Sequence, residues 1–539
     1  MVGAHRACRR RKRGTRNAQR YEMHLLDNLV DTAQALTGRT WRPSRTVAFV
    51  VTRPKAREIL AADFSDRVVH HLLVPHLETH FEPVFIDDSF SNRQGKGTHA
   101  AVDRLQVFLR QVSANGCRPE HYLQLDVANF FNCIDRRRLF GMIRTRLEKD
   151  MRRPEAAARY VAPARAADLL WLTRVLLTGN AAEGAHRRGT PGEFARVPPH
   201  KRLGNAPAEK GLPIGNLTSQ FFANVYLNEL DQYVKHVLKC RHYVRYVDDF
   251  VLLHENPQQL ESWRESIAAF LKSRLELELR DAGKLRPVGD GIDFLGYIVR
   301  RDYRLVRRRV VGHLHERLRR AERIIQTSPC RGGREGVETL SSHCSTPILT
   351  FPLQGGRNGH GSNGQSGIMR GDLPAGMVES LRSTLASYLG HFRHAHSHRL
   401  VTALWRRYPW LGLLFGCDPA NRKLRCLNPR GVASLRGQWR YFCRCFPGAV
   451  VFMRVGNRIE AYGPHVGRIE ALPNHGGQVV TTRAGLAPAL AWKPEQAGAL
   501  RRRLTRAGMD WVETAESGWL KGGLKRRVLG RWSVTAATV

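Results

Sequence analysis

The sequence predicts an α+β protein that is built from several domains. Short apolar runs rich in β-formers alternate with helical stretches up to about Val299, and a block of mixed α/β patterning occupies the C-terminal part. The chain has 539 residues, of which 42% are hydrophobic. It is therefore long enough for about three or four domains with cores of their own.

The charge balance points to a polyanionic partner. The sequence contains 87 Lys and Arg against 47 Asp and Glu, which gives a net charge of +40. Such a chain repels itself unless nucleic acid or an anionic surface shares the charge. No apolar run approaches the ~20 residues of a membrane span, and no apolar segment follows the basic N-terminus as in a secretory signal. We therefore expect a cytoplasmic protein without a membrane partner.

The cysteines do not indicate a metal or disulfide framework. Ten cysteines are spread irregularly from Cys8 to Cys445, without a CxxC pair. In a long chain this pattern is typical of free thiols in a reducing compartment.

Sequence patterns predict a succession of elements. The chain begins with a mobile basic arm over 1–20, a helical stripe through Val68 and Leu73, a strand at Tyr122–Asp126 and a helical stretch to about Leu177. A Gly/Pro/Arg-rich loop over 178–211 leads to a helix containing Phe221 and Val225, an apolar hairpin over 243–253, a helix over 257–275 and short strands to Val299. A Gly/Ser-rich disordered insert over about 327–376, helices over 377–408 and a Pro/Arg-rich linker follow.

Three aspartates are the candidate catalytic residues. Asp248 and Asp249 are adjacent within a very apolar β-run, and Asp126 ends another apolar strand. Adjacent acids in such a run repel each other and lose hydration, so a tight turn that presents them to cations is one interpretation and a surface β-turn is the other. Carboxylates delivered by two strands to one place suit a pair of Mg²⁺ ions.

Six stretches occur in an order that resembles the motifs of reverse transcriptases. They are Ser89–His99, Asp126–Phe131, Gly211–Gln220, Tyr246–Asp249, Lys284 and Phe294–Tyr297. The resemblance covers residues 67–300 and implies a right-hand polymerase, with fingers, a palm containing an antiparallel sheet, and a helical thumb. It also implies RNA-directed DNA polymerase activity, with an RNA template, a DNA or RNA primer and dNTP substrates.

The resemblance assigns roles to individual residues. Asp126, Asp248 and Asp249 would be catalytic and, together with Val127, would form the site of two Mg²⁺ ions, and Lys284 would be a general acid near pyrophosphate. The residues that would contact the incoming nucleotide are Arg93, Lys96, Phe131 (the steric gate that favours deoxynucleotides), Ile214, Gly215 and Gln220. The alternatives are surface charge for Arg93 and Lys96, core packing for Phe131 and a turn lysine at Lys284.

The Gly211–Gln220 motif indicates which type of reverse transcriptase the chain resembles. Many reverse transcriptases have Gln where this chain has Ile214, and the ending Thr-Ser219-Gln220 is similar to the enzymes of diversity-generating retroelements. The loss of an amide near the nascent base pair fits error-prone copying of template adenine, and an accessory protein of the retroelement is an expected partner. Two alternatives are a phage-defence reverse transcriptase and a catalytically inert nucleic-acid-binding scaffold.

The C-terminal block resembles the first domain of the mismatch-repair protein MutS. The stretch Phe446–Tyr462 is similar to the start of that domain, but Arg458 stands where the domain has its stacking Phe. Because an arginine does not wedge into a base step as a phenyl ring does, the resemblance favours binding to bent or structured nucleic acid rather than mismatch sensing. The residues that would bind are Arg458, Arg501 and Arg502. A generic α/β accessory domain is the alternative. The predicted domains are 1–66 (basic arm and start of the fingers), 67–300 (fingers and palm), 301–416 (thumb with its insert), 417–431 (linker) and 432–532 (MutS-I-like).

Overall fold

The computed structural model describes residues 1–10, 12–52, 55–152, 163–327, 368–372, 377–418, 423–426, 432, 434–481, 486–520 and 523–535. The chain divides into an N-terminal unit, residues 1–304, and a C-terminal unit, residues 305–539. Within the described ranges, every helix is too short or too polar to cross a membrane.

The N-terminal unit combines helices with short strands. Its helices are α1 (Val2–Arg9), α2 (Arg16–Met23), α3 (Leu25–Thr37), α4 (Phe64–Phe81), α5 (Thr98–Val112), α6 (Phe130–Cys133), α7 (Arg136–Met151), α8 (Pro163–Thr178), α9 (Pro191–Ala195), α10 (Leu217–Gln232) and α11 (Pro257–Leu275). Its strands are β1 (Val47–Val51), β2 (Arg57–Ala61), β3 (His121–Asp126), β4 (His186–Arg187), β5 (Tyr243–Tyr246), β6 (Asp249–His254), β7 (Lys284–Pro287), β8 (Ile292–Phe294) and β9 (Tyr297–Val299), and β10 (Arg304–Val306) begins at the last residue of the unit.

A four-stranded antiparallel sheet in the order β5-β6-β3-β7 forms the centre of this unit. The apolar runs on β3 and β6 are buried, and α10 packs into the same core with Phe221, Phe222 and Val225. Sequence-local signals fix the helices around the sheet: the Asp135 side chain caps α7 by accepting from the Arg138 amide, and Asn256 caps α11 ahead of a Pro at its first turn. The sheet therefore has a rigid support for residues at its ends.

The N-terminal arm is helical rather than mobile. Ala4 and Cys8 of α1 and Ala18 and Tyr21 of α2 are buried in one cluster with Phe64 and Val68 of α4. The prediction of a mobile arm was wrong because it gave weight to the arginines and overlooked the helical spacing of the apolar side chains between them, four residues from Ala4 to Cys8 and three from Ala18 to Tyr21. The predicted loop over 178–211 is also more ordered than expected, since it contains β4, which pairs with β1 in parallel, and α9.

The C-terminal unit combines helices with a large mixed sheet. Its helices are α12 (Arg308–Thr327), α13 (Met377–Phe392), α14 (His398–Arg407), α15 (Trp410–Leu414), α16 (Leu435–Cys445), α17 (Pro464–Glu470) and α18 (Pro494–Arg506). Its strands are β11 (Ile368–Asp372), β12 (Phe415–Asp418), β13 (Lys423–Cys426), β14 (Val450–Val455), β15 (Arg458–Tyr462), β16 (Gln478–Val479), β17 (Ala489–Trp492), β18 (Trp511–Trp519) and β19 (Lys525–Thr535).

The seven-stranded sheet has the order β11-β19-β18-β14-β15-β17-β16, and both of its faces are covered. Alternate residues of β14 show this: Val451 and Met453 share a core with α16, whereas Val450 and Phe452 share a different core with α18. The predicted amphipathic helix is present as α18, with Leu500 and Leu504 buried as expected.

Two predicted boundaries in this unit differ from the structure. Most of the expected insert lies outside the described residues, but 368–372 form β11, which pairs with the last strand, β19. The expected linker contains β13, which pairs with β12 as a hairpin. Both strands are short, and β11 pairs with a partner that is distant in sequence, so local composition did not reveal them.

Candidate active site

Strand pairing places the three candidate aspartates at one end of the four-stranded sheet. Asp126 is the last residue of β3, Asp249 is the first residue of β6, and the two are direct partners in antiparallel register. Asp248 lies in the turn between β5 and β6, and its carbonyl accepts a hydrogen bond from the Val127 amide at 3.3 Å. This arrangement agrees with the expectation that two strands deliver carboxylates to one place.

The turn that carries Asp248 is strained. Val247 and Asp248 connect β5 to β6, and Val247 has a φ of 58°. For a β-branched residue this left-handed conformation is an outlier that costs on the order of 1–3 kcal/mol. Asp248 and Asp249 are partly buried rather than exposed, which does not match the alternative of an ordinary surface β-turn.

Burial raises the pKa values of all three carboxyl groups. Burial, reinforced by the neighbouring Asp248 carboxylate, raises the pKa of Asp126 to about 7. Burial also raises the pKa of Asp249 to about 6, although a hydrogen bond from the Gln124 side chain opposes the rise. The pKa of Asp248 is raised by burial as well. Partly buried like charges are unfavourable together, and a bound cation would relieve them.

Three basic residues surround these acids, and two of them were not predicted. Arg280 forms an ion pair with Asp126, and its amide donates to the Asp126 carbonyl at 2.8 Å. The charge of Arg57 on β2 opposes the rise in the pKa of Asp248. Neither arginine belongs to a motif with diagnostic spacing. The predicted Lys284 is exposed at the start of β7, and its charge opposes the rise in the pKa of Asp249.

The chemistry of the aspartates fits a divalent cation. Carboxylate oxygens are the ligands that Mg²⁺ prefers, and Asp126 has one buried oxygen, Oδ1, without a hydrogen-bond partner. Within the described ranges, no three His, Cys, Asp or Glu side chains are already gathered as a metal-binding group. A cation here would therefore compete with Arg280 for Asp126. Val127 has no ligating side chain, so only its carbonyl oxygen is available as a ligand.

The motif that contains several of the residues predicted to contact the incoming nucleotide is held next to β2 and α6. The Leu212 amide donates to the Phe131 carbonyl at 2.8 Å, and the Leu60 amide donates to the Ile214 carbonyl at 2.9 Å. Gly215 has a φ of 122°, and a Cβ there would lie 2.8 Å from the Ile59 side chain. Backbone bonds and this close approach thus join the Gly211–Gln220 motif to the strand that carries Arg57. Phe131 and Gln220 are each partly buried, Phe131 on α6 and Gln220 on α10.

The two fingers cations have other partners than those predicted. Arg93 forms an ion pair with Glu82 and donates to the carbonyls of Ile86 and Ser89 at 2.6 and 2.9 Å, with only 7% of its side chain exposed. Lys96 donates to the Asp87 carbonyl at 2.8 Å. The predicted triphosphate contact of Arg93 is thus not what the structure favours, because its guanidinium stabilises its own loop.

The predicted nucleic-acid residues of the C-terminal unit fall into two groups. Arg458 and Arg502 are exposed, as phosphate contacts require. Arg501 is buried, forms an ion pair with Glu513 and lies over the Trp511 ring at 5.9 Å. The expectation that Arg501 contacts phosphate was wrong, because position 501 is on the same face of α18 as Leu504 and Ala497.

A right-hand polymerase palm is the class of structure that this sheet and its three acids define. Residues 52–299 match the family model described as reverse transcriptase (RNA-dependent DNA polymerase). This part of the chain is therefore a reverse transcriptase domain, and the enzyme class predicted from the sequence, RNA-directed DNA polymerase, is confirmed for it. The family generally uses divalent metal ions.

No curated protein matches the chain. The chain is similar to apo telomerase from Candida tropicalis truncated from its C-terminal domain, with 9% identity and a TM-score of 0.36 over 52% of this chain and 60% of that chain. It is similar to telomerase from Candida albicans in complex with a TWJ fragment of telomeric RNA, with 10% identity and a TM-score of 0.35 over 56% of this chain and 55% of that chain. The chain thus spans less than two thirds of either telomerase structure.

Proposed function

We propose that the whole protein extends a primer on an RNA template with dNTPs, through metal-dependent nucleotidyl transfer at Asp126, Asp248 and Asp249. The observation that carries the proposal is the pairing of Asp126 with Asp249 beside the Asp248 turn. It brings three carboxyl groups to one end of the sheet, where burial and the charges of Asp248 and Asp249 raise the pKa of Asp126 and like charges are unfavourable without a cation. The net charge of +40 supports template and primer as the polyanionic partners.

The aspartates would hold two Mg²⁺ ions, with the Val127 carbonyl as a further oxygen ligand. Bound there, the ions would supply Lewis-acid stabilisation of the triphosphate charge and lower the pKa of the primer 3′-hydroxyl. Arg57 is placed to share the negative charge of the triphosphate, because its own charge already acts on Asp248. Lys284 would supply a proton to the departing pyrophosphate. Lys96 lies in the loop over residues 82–97 between α4 and α5, called the fingers loop below, and remains a proposed triphosphate contact.

Nucleotide selection would rest on the surface formed by Phe131, Ile214, Gly215 and Gln220. A ring at position 131 crowds a ribose 2′-hydroxyl, which would favour deoxynucleotides. The Gly215 backbone is held against β2 because no Cβ intervenes. Backbone bonds fix both sides of this surface, so it is suited to select nucleotides by shape.

Primer extension on a heteropolymeric RNA tests this function. The wild-type chain, the double variant Asp248→Ala/Asp249→Ala and the control Asp290→Asn, which removes an exposed carboxylate outside the sheet, are compared with Mg²⁺ and dNTPs. We expect extension by the wild type and the control and none by the double variant. Equal extension by all three would contradict the assignment of the acids. No extension by the wild type, also with its flanking RNA added, would favour the inert scaffold.

We further propose a role in a diversity-generating retroelement, with errors concentrated opposite template adenine. The support is Ile214, which places an aliphatic side chain where many related enzymes have an amide. Sequencing of the cDNA from a defined RNA tests it. We expect misincorporation mainly opposite adenine and a reduced adenine bias in Ile214→Gln. Even error rates at all four bases would instead favour the defence role. Cytoplasmic location and an accessory protein of the retroelement belong to the same proposal.

The C-terminal unit is proposed to bind bent or structured nucleic acid, as the MutS resemblance implies. Arg458 and Arg502 remain candidates since both are exposed. A stronger feature is α16, on which Arg436, Arg440 and Arg444 are exposed at four-residue spacing. Residues four apart are about 6 Å apart along a helix, which is close to the spacing of phosphates along a strand.

The salt dependence of RNA binding tests this surface. We expect Arg436→Gln/Arg440→Gln/Arg444→Gln to reduce the slope of log affinity against log salt by about 2–3, which corresponds to three lost phosphate contacts. The matched control is Arg393→Gln/Arg399→Gln/Arg406→Gln, which removes the same charge from the residue directly after α13 and from two positions of α14. An equal loss from both triple variants would indicate a general charge effect and contradict a defined site on α16.

A further inference from the structure

A completely buried ion pair lies directly behind the catalytic turn. Arg245 on β5 and Asp231 on α10 are both 0% exposed, and the guanidinium binds the carboxylate through two nitrogens at 2.7 and 2.6 Å. The Tyr243 hydroxyl donates to the same carboxylate at 2.8 Å. All of these groups lie within the N-terminal unit.

The other donors of Arg245 extend to the turn, to the fingers loop and, through a bond from Nη1 to Asn224 Oδ1 at 3.3 Å, to α10. Nη1 donates to the Val247 carbonyl at 3.0 Å, and Nη2 donates to the Ser89 hydroxyl at 3.0 Å. Its backbone amide donates to the Asp88 carbonyl at 2.9 Å, and its carbonyl accepts from the Phe90 amide at 3.0 Å. One residue thus connects the turn that carries Asp248 to α10 and to the start of the Ser89–His99 motif.

A general contribution to stability does not explain this arrangement. A buried ion pair is often no more stabilising than apolar residues of the same volume, because both charges lose their hydration. What a guanidinium adds is five donors in a fixed planar fork, which a lysine does not have. Here the fork fixes the carbonyl of Val247, the residue with the strained φ of 58°. The bond therefore acts at the point where the turn is least able to hold its own conformation.

We propose that Arg245 is a positioning residue, which fixes the catalytic turn, and hence Asp248, relative to the fingers loop. This inference rests on the proposed polymerase function of the same site. Arg245 acts through the turn and does not touch the reacting atoms. Asp231 orients the guanidinium, and Ser89 carries the coupling to the fingers.

The principal test is Arg245→Lys, with Lys235→Met as the matched control. Lysine at 245 keeps the charge beside Asp231 but has too few donors to hold Val247 and Ser89 as well. Lys235 belongs to the same buried polar region, where it donates to Asp88 at 2.8 Å, but it has no bond to the turn. Its removal therefore perturbs the region without releasing Val247.

Two readouts are needed. The first is hydrogen exchange of the peptide spanning the turn, measured in metal-free protein. We expect exchange in Arg245→Lys to rise by about tenfold or more, as for the loss of one hydrogen bond to a charged group, and to stay unchanged in Lys235→Met. The second is kcat per active site, from active-site titration. We expect kcat to fall by about 10–100-fold in Arg245→Lys, with the KM for dNTP within about threefold of the wild type.

The outcomes separate this proposal from the polymerase function. Unchanged exchange at the turn in Arg245→Lys, or kcat that falls only in proportion to the folded fraction, would overturn the positioning role while leaving the polymerase intact. If the wild type does not extend primers, the exchange result still decides whether Arg245 holds the turn. Should Arg245→Lys not fold, Ser89→Ala, which deletes a single bond of the fork, replaces it. A smaller rise in exchange at the turn supports the role, and no rise overturns it.

Discussion

Replacing Arg501 by Met is expected to destabilise the C-terminal unit without weakening nucleic-acid binding. The side chains of Arg501 and Glu513 are each 9% exposed and form an ion pair. Removing the arginine leaves a buried carboxylate without its partner, which costs about 3–5 kcal/mol. For a unit of this size a change of 1 kcal/mol shifts Tm by about 2–4 °C. The expected loss is therefore roughly 6–20 °C.

The assay is thermal melting combined with RNA affinity below the melting range. Arg501→Met/Glu513→Leu should recover most of the lost stability, because neither charge then remains buried. Arg502→Gln, at the exposed neighbouring position, should have a free energy of unfolding within about 0.5 kcal/mol of that of the wild type. An Arg501→Met protein that melts like the wild type but binds RNA more weakly would refute the buried position of Arg501.

Three further predictions concern the N-terminal unit. In Gly215→Ala the new Cβ would lie 2.8 Å from the Ile59 side chain at a φ of 122°, so the KM for dNTP should rise by about 3–10-fold. The control Gly141→Ala on α7, where a new Cβ meets nothing within 4 Å, should leave the KM unchanged. Equal KM values in the two variants would contradict the close approach of Gly215 to β2. Phe131→Ala should raise the ratio of ribonucleotide to deoxynucleotide kcat/KM by about tenfold or more, and an unchanged ratio would make Phe131 a core residue only. Burial, reinforced by the charges of His71 and Arg67, lowers the pKa of His70 to about 3. The folded state therefore keeps His70 neutral while the unfolded state gains a proton below pH 6.5, and the free energy of unfolding should fall by about 2 kcal/mol between pH 7.5 and 5. In urea titrations at the two pH values, His70→Leu should remove that part of the acid sensitivity.

The sequence predicted those parts of the site that depend on local pattern. Asp126 ends one apolar β-run and Asp248 lies in a turn within another, and from these local patterns we predicted that two strands deliver carboxylates to one place. Arg280 and Arg57 were not predicted, because each reaches the acids through strand pairing or tertiary packing and has no diagnostic spacing. Arg93 shows the opposite error, since a motif position predicted its role but nearby Glu82 binds its guanidinium.

For the fold as well, elements with a local sequence pattern were predictable and elements that depend on distant partners were not. The helix α18 was predictable because Leu500 and Leu504 repeat at helical spacing. The strand β11 was not, because its partner β19 is far away in sequence and the residues around it are rich in Gly and Ser. The helices α1 and α2 were missed because a high local charge hid the small apolar side chains that pack against α4.

The most direct test of the central claim is the binding of Mn²⁺, a spectroscopic substitute for Mg²⁺, to the chain in the presence of primer, RNA template and a non-reacting dNTP analogue. The claim is that Asp126, Asp248 and Asp249 form one cation site even though Arg280 pairs with Asp126. Electron paramagnetic resonance counts the bound ions without requiring turnover. We predict two ions in the wild type and in Asp290→Asn, and their loss in Asp248→Ala/Asp249→Ala. The same number of bound ions in all three proteins would contradict the account.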